Sequence, residues 1–274
     1  MSGVEIERSG AAATLWLNRP ERHNAFDDAL IAELGAALAD LAADEAVRVV
    51  LLAGRGKSFS AGADLAWMKR MAGYTPAENE ADANAMAEML HRLESLPKPT
   101  IALVQGAAMG GGVGLAAACD IALAAEDAQF ALSEVRLGLI PAAISPYVIA
   151  AIGPKAARRY FLTAERFDAH QAMALGLVSA VMPGGELAAE GKRLAAMLGQ
   201  NGPAAMAEAK RLIADVTGRP IDAALRAETA RRIARQRAGA EGREGVAAFL
   251  EKRKPVWPKP VWPKAVWPKA DKPG

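Results

Sequence analysis

Apolar and polar positions alternate in blocks along this chain, and the block lengths predict strands and helices in turn. "VEIER" and "AATLWLNRP" read as two short strands joined at Ser9-Gly10, the second stopping at Pro20 because proline cannot donate to a sheet ladder. Leu30, Ile31, Leu34, Leu38 and Leu41 then recur at helical spacing behind Asp27 or Asp28 as cap. "VRVVLLAG" predicts a buried strand, and Thr75-Pro76 with Glu78 opens a helix that continues through Met86, Met89, Leu90 and Leu93 to Pro97. "TIALVQG" predicts a further strand, and "DIALAAEDAQFALSE" one strand and a second. Such alternation predicts a layered α/β fold with crossover connections rather than a sandwich or a bundle. From Gly184 onward only helical spacing remains, with apolar stripes at Leu187, Leu194, Met197 and Leu198, then at Met206, Leu212, Ile213 and Val216. The chain therefore divides into an α/β core over residues 1–183, a helical region over 184–254 and a tail over 255–274.

One block imitates a membrane span, because Ile101 to Cys119 carries no charge and is long enough to cross a bilayer. Gln105, the glycines at 110–112 and Asp120 divide it into a buried strand, a turn and a buried helix, as expected inside a large α/β core. The charge balance, 33 basic against 31 acidic residues, supplies no overall field for nucleic acid or an anionic membrane. Cys119 is the single cysteine, which rules out an intrachain disulfide and a multi-cysteine metal site. The N-terminus "MSGVEIERSG" lacks the features of a secretory signal, so a cytoplasmic location is expected. The tail repeats Val-Trp-Pro-Lys three times at a five-residue period, and its prolines exclude helix and central strand. It reads as extended and largely disordered, with tryptophans available for an interaction.

Gly110, Gly111 and Gly112 each cost a helix about 1 kcal/mol relative to alanine, so something must offset them. Two readings stand: a tight strand-to-helix turn, or bare N–H groups aimed at a ligand oxygen at a helix start. "FSAGADL", Phe59 to Leu65, has the same small-residue character, and two such loops can hold one oxyanion between them. Glu134 lies in the mostly apolar "ALSEVRLGLIP", where a partly buried carboxylate with a raised pKa could pass protons. Taken alone it could equally be a solvated or salt-bridged residue.

These elements, in this order, resemble the enoyl-CoA hydratase/isomerase, or crotonase, superfamily over roughly residues 4–257. "NRPERHNAF", "FSAGADL", "AAMGGGVGLAAACDIALAAEDAQFALSEVRLGLIP", "FLTAERFDAHQAMALGLVSAV" and "EGVAAFLEKRKP" carry the resemblance together. It implies a spiral of ββα units with a helical C-terminal trimerisation region, assembled as a homotrimer or a dimer of trimers. It implies an acyl-CoA thioester as substrate, no membrane partner, and no cofactor or metal beyond the coenzyme A that the substrate carries. By motif position, Ala61 and Gly111 would supply the two N–H groups that hold the thioester oxygen. Ala63, Asp64 and Leu65 would lie against the coenzyme A adenine, and Arg22 would meet its phosphates.

The chain also departs from the family pattern, since two-glutamate hydratases carry an acid where this chain has Gly114. Glu134 stands alone among the family acids. As a hydratase it would activate water and then protonate the α-carbon, with Gly114 making room for the acyl chain or for a water. As a Δ3-Δ2 isomerase it would move a proton from C2 to C4. "LGLIPAAISPYVIAAIG" followed by "ARRYFLTAERFDA" resembles the hydratase branch acting on 3-methylglutaconyl-CoA in leucine degradation or on isohexenylglutaconyl-CoA in acyclic terpene degradation. Both substrates end in a carboxylate, for which Lys69 or Arg70 could supply a cation. RNA binding through the lysine and tryptophan of the tail is a remote third reading, against which the balanced charge counts.

Overall fold

The computed structural model describes residues 2–259 and residue 262. β1 (Val4–Ser9) and β2 (Ala12–Leu17) form the predicted antiparallel hairpin, with Val4 opposite Leu17. Asp27 rather than Asp28 caps α1 (Asp28–Ala43), its carboxylate accepting from the Leu30 N–H at 2.9 Å. β3 (Val49–Gly54) follows, buried throughout, then α2 (Leu65–Met71) and α3 (Pro76–Glu94), the latter opened by a Thr75/Glu78 capping box. β4 (Thr100–Val104), β5 (Ala107–Met109) and α4 (Gly111–Ala118) divide the membrane-like block as expected, and among the described residues no helix is long and apolar enough to cross a membrane. β6 (Ile121–Ala125) and β7 (Gln129–Ala131) lead to α5 (Ser145–Thr163), which kinks at Gly153-Pro154. β8 (Phe167–Asp168), α6 (Ala169–Leu175) and β9 (Ala180–Met182) complete the core. Beyond them come α7 (Gly184–Gly199), α8 (Pro203–Val216), α9 (Ala223–Ala238) and α10 (Ala240–Leu250).

Two sheets organise the core. The larger runs β1-β2-β3-β4-β6-β9, parallel except for the hairpin, and the smaller runs β5-β7-β8. After β4 the chain leaves the large sheet, adds β5 to the small one and returns through α4, and after β6 it adds β7 and, beyond α5, β8 to the small sheet before α6 returns it to β9. After β3 the same step is made by a loop, because Ser60 bridges Ala108 of β5. This repetition is the ββα spiral that the family resemblance implies. It stacks the loops that follow successive units, so Ser60 to Ala63, Gly110 to Gly112 and Glu134 converge although they are far apart in sequence.

Successive side chains of β3 point to opposite faces and therefore enter two cores. Val50 and Leu52 pack with α1, α3 and α4 residues such as Leu34, Leu90 and Val113. Val49 and Leu51 meet Leu187 and Ala195 of α7 on the other side. Burying a leucine of this kind stabilises the fold by roughly 1.5–3 kcal/mol.

Past α10 the tail holds neither helix nor strand through Lys259, as its prolines require, but its first repeat is not loose. The Trp257 indole N–H donates to the Gln200 carbonyl at 2.7 Å. Residues 260, 261 and 263–274, on which the expectation of a disordered tail also rested, lie outside the described residues.

Candidate active site

The glycine turn between β5 and α4 serves both purposes left open by the sequence. Gly110 has φ 49, a left-handed conformation suited to glycine, and its N–H donates to the Ala131 carbonyl at 2.9 Å. The first intrahelical bond of α4 comes only at Gly114, whose N–H reaches the Gly110 carbonyl at 3.1 Å. Gly111 is thus a first-turn residue whose N–H has no intrahelical acceptor, at the positive end of the helix dipole. Its glycine identity has a second cause. A Cβ there would stand 2.9 Å from Met86 Cε and 3.1 Å from the Phe26 ring.

Glu134 opens a single 3-10 turn, Glu134–Leu137, closed by Gly138. Its Oε1 lies 2.9 Å from where a Gly110 Cβ would be, so the carboxylate is pressed against the glycine turn. Its Oε2 is buried and meets no hydrogen-bond partner among the described residues. Burial is the main influence on the group and pushes its pKa up. The salt-bridged alternative therefore falls away. Immediately beyond it, Leu137, Leu139 and Ile140 expose apolar side chains.

The second loop corrects the family-based assignment. Ala61 is not an open donor, because its N–H is held by the His23 carbonyl at 2.9 Å. Two residues on, Phe26 donates to the Gly62 carbonyl and accepts from the Asp64 N–H, both at 2.7 Å. This pairing fixes the loop and turns the Ala63 N–H away from Phe26, without an acceptor among the described residues. The same loop runs beside the strand that feeds the glycine turn, since Ser60 accepts from the Met109 N–H and a Gly62 Cβ would lie 3.2 Å from the Met109 carbonyl. Ala63 and Gly111 thus carry open N–H groups on these adjoining loops.

Three further expectations change. Asp64 is buried with both oxygens engaged: Oδ1 caps α2 through the N–H groups of Ala66 and Trp67, and Oδ2 pairs with Arg22 at 3.1 Å. Its carboxylate is therefore committed to the helix cap and to Arg22, which leaves only its backbone to meet adenine, whereas its neighbour Leu65 is exposed and open to a ligand. Arg22 stays half-exposed while anchored on Asp64. Arg70 is tied to Asp28 at 2.6 Å, which leaves Lys69, exposed and without an acid partner among the described residues, as the remaining cation of that pair. Gly114 offers no space at all, because a Cβ there would fall 2.2 Å from Ile144 Cγ2. Its absent side chain admits α5 against α4, not an acyl chain or a water.

Sequence reasoning passed over Phe26 and Asn24, although both lie in the quoted "NRPERHNAF". Asn24 is buried with φ 55, and its amide donates to the carbonyls of Arg55 and Ser58 at 2.9 and 2.8 Å, which holds the loop before Ser60 in place. An asparagine in such a turn motif was the available signal. Met86 gave none, since its spacing is that of any core helix residue.

Residues 7–260 match the family Enoyl-CoA hydratase/isomerase. The structure superimposes on the crystal structure of an enoyl-CoA hydratase from Shewanella pealeana with a TM-score of 0.91 at 45% identity, covering 93% of this chain and 96% of that one. The 2,3-dehydroadipyl-CoA hydratase of Escherichia coli is 34% identical across 93% of this chain and 98% of its own length. The crotonyl-CoA hydratase of Syntrophomonas wolfei is 34% identical across 92% and 96% respectively.

Proposed function

This chain belongs to the enoyl-CoA hydratase/isomerase family and is an enzyme of the carbon–oxygen lyase type, and we propose that it hydrates the 2,3 double bond of an enoyl-CoA thioester at Glu134. The observation that carries this reading is the partly buried Glu134 carboxylate, its Oε2 buried without a partner among the described residues, beside a helix start that presents open N–H groups. The thioester oxygen would sit between the N–H groups of Ala63 and Gly111, where negative charge develops during addition; one such donor is typically worth about 2.7–4 kcal/mol. One carboxylate suffices if it acts twice. Glu134 takes a proton from water as the hydroxide oxygen bonds to C3, the electron pair of the double bond moves into the thioester as an enolate, and Glu134 then returns the proton to C2. A raised pKa suits the second half, because the acid formed in the first is then readily available.

The substrate class within that activity is a branched acyl chain ending in a carboxylate, 3-methylglutaconyl-CoA or isohexenylglutaconyl-CoA. The relative named for 2,3-dehydroadipyl-CoA is in keeping with a carboxylate-ended chain, the one named for crotonyl-CoA with a short unbranched chain. The exposed apolar residues Leu137, Leu139 and Ile140 would line the branch, and Lys69 would meet the distal carboxylate. A panel of enoyl-CoA thioesters assayed with the native enzyme and with Lys69→Ala tests this. Preference for 3-methylglutaconyl-CoA over crotonyl-CoA, with the Lys69→Ala variant raising KM for the former alone, is the expected result. Equal use of both substrates would defeat the substrate assignment while leaving hydration intact.

One observation favours double-bond migration instead: the position that carries a second acid in two-glutamate hydratases is packed shut by Ile144. A native enzyme that hydrates no member of the panel yet shifts a 3-enoyl double bond would establish it. Assembly as a homotrimer or a dimer of trimers goes with the family reading and is read by light scattering.

A further inference from the structure

The proline-rich repeat at the C-terminus begins with seated residues. Arg253 pairs with both carboxylate oxygens of Glu244 on α10, at 2.6 and 3.0 Å, and Glu244 Oε1 also accepts from the Val256 N–H at 2.7 Å. The chain is therefore pinned where the repeat begins. Trp257 then lays its ring against Gly245, close enough that a Cβ there would stand 3.3 Å from two ring carbons, and its N–H reaches the Gln200 carbonyl at the end of α7. Trp262 lies over the ammonium of Lys98, 5.1 Å from its ring centroid.

These two seats lie at one end of the fold. Asn201, next to Gln200, accepts from Arg48 just before β3, and Lys98 just before β4 donates to the carbonyls of Leu41 and Asp44 where α1 ends. Lys98 is wholly buried, its charge placed at the negative end of the α1 dipole. A five-residue extended step covers at most about 16–18 Å, so successive tryptophans can bridge neighbouring features of that end but not wander across the molecule.

We propose that the first two tryptophans of the Val-Trp-Pro-Lys repeat form an intramolecular clasp that ties α10 to the core, Trp257 gripping the end of α7 and Trp262 covering Lys98 at the end of α1. The composition fits this task. Proline limits the freedom of the free chain, which lowers the entropy lost on docking. Tryptophan supplies a large ring for a glycine surface or a cation, with an N–H for a carbonyl.

Thermal unfolding and amide hydrogen exchange on full-length variants test the clasp. Trp257→Ala and Trp262→Ala should each lower Tm by on the order of 2–4 °C. Trp262→Ala should also speed exchange at the end of α1 around Leu41 to Asp44, and Trp257→Ala should speed it near Gln200. Gly245→Val should reproduce Trp257→Ala by unseating the ring. In a Lys98→Met background Trp262→Ala should add nothing, because the partner is gone. Unchanged Tm and unchanged exchange in both tryptophan variants would overturn the proposal. So would salt-sensitive retention on RNA that disappears in those same variants while their stability stays intact.

Discussion

Replacing Glu134 with glutamine should move activity and stability in opposite directions, and by linked amounts. The side chain keeps its shape, but the amide can neither take a proton from water nor return one to C2. Loss of a general acid-base group of this kind lowers turnover by about 10²–10⁴. Stability responds with the other sign because the native carboxyl is buried, lacks a partner at Oε2 and has a pKa raised above its ordinary 4.5. Between the unfolded and folded pKa values the native state holds more protons than the unfolded chain, so native stability falls as pH rises through that window. Above the window the fold carries the whole penalty of an ionised buried acid, which glutamine removes. Each pKa unit corresponds to about 1.4 kcal/mol. The size of the effect can thus be obtained twice. The rising limb of kcat/KM against pH gives the folded pKa in the free enzyme, and its excess over 4.5 should equal the pH 7 stability gain of Glu134→Gln from chemical denaturation, at 1.36 kcal/mol per unit. Below pH 4.5 the two proteins should converge. Turnover within about threefold of the native value would remove Glu134 from the mechanism. A raised kinetic pKa without any stability gain would mean that another group had been titrated.

Gly114→Glu should lose stability rather than create a two-acid site, since its Cβ alone would overlap Ile144 Cγ2; overpacking of this kind costs about 1–3 kcal/mol, visible as a lower Tm, with hydration of crotonyl-CoA and 3-methylglutaconyl-CoA falling together. Ala63→Pro deletes one open N–H and should cut kcat about 10²–10³-fold with Tm largely kept, whereas Ala61→Pro breaks the bond to His23 and should show mainly as lost stability; the reverse pattern would restore Ala61 as the oxygen-binding donor. Asp64→Ala should cost about 0.5–2 kcal/mol through loss of the α2 cap. Burial pushes the Asp64 carboxyl up, but the N–H groups of Trp67 and Ala66 and the Arg22 guanidinium outweigh it and hold the pKa below its ordinary value. The Asp64 contribution is therefore present above that ordinary value and fades on acidification, so native and Asp64→Ala melting curves should approach each other in acid.

Local order was legible in the chain itself. The spacing of Leu30 to Leu41, the Thr75/Glu78 box and the apolar run at Val49 to Gly54 each name an element, because helix and strand periodicity and capping depend on residues within a few positions of one another. Glu134 and the glycine turn were legible for the same reason, as unusual residues in apolar or helix-forming company. β5, β8 and β9 were not, since two or three residues hold too little pattern to read and exist as strands only because partners pair with them. Tertiary structure alone decided which N–H groups stay open. Ala61 and Ala63 are chemically the same and two positions apart, and only the carbonyl of His23 separates their roles. Likewise a glycine records that a side chain is missing but not what fills the space, which at Gly114 is Ile144 and at Gly245 is a tryptophan from the tail. Long-range packing assigns such partners, and no short-range pattern encodes it.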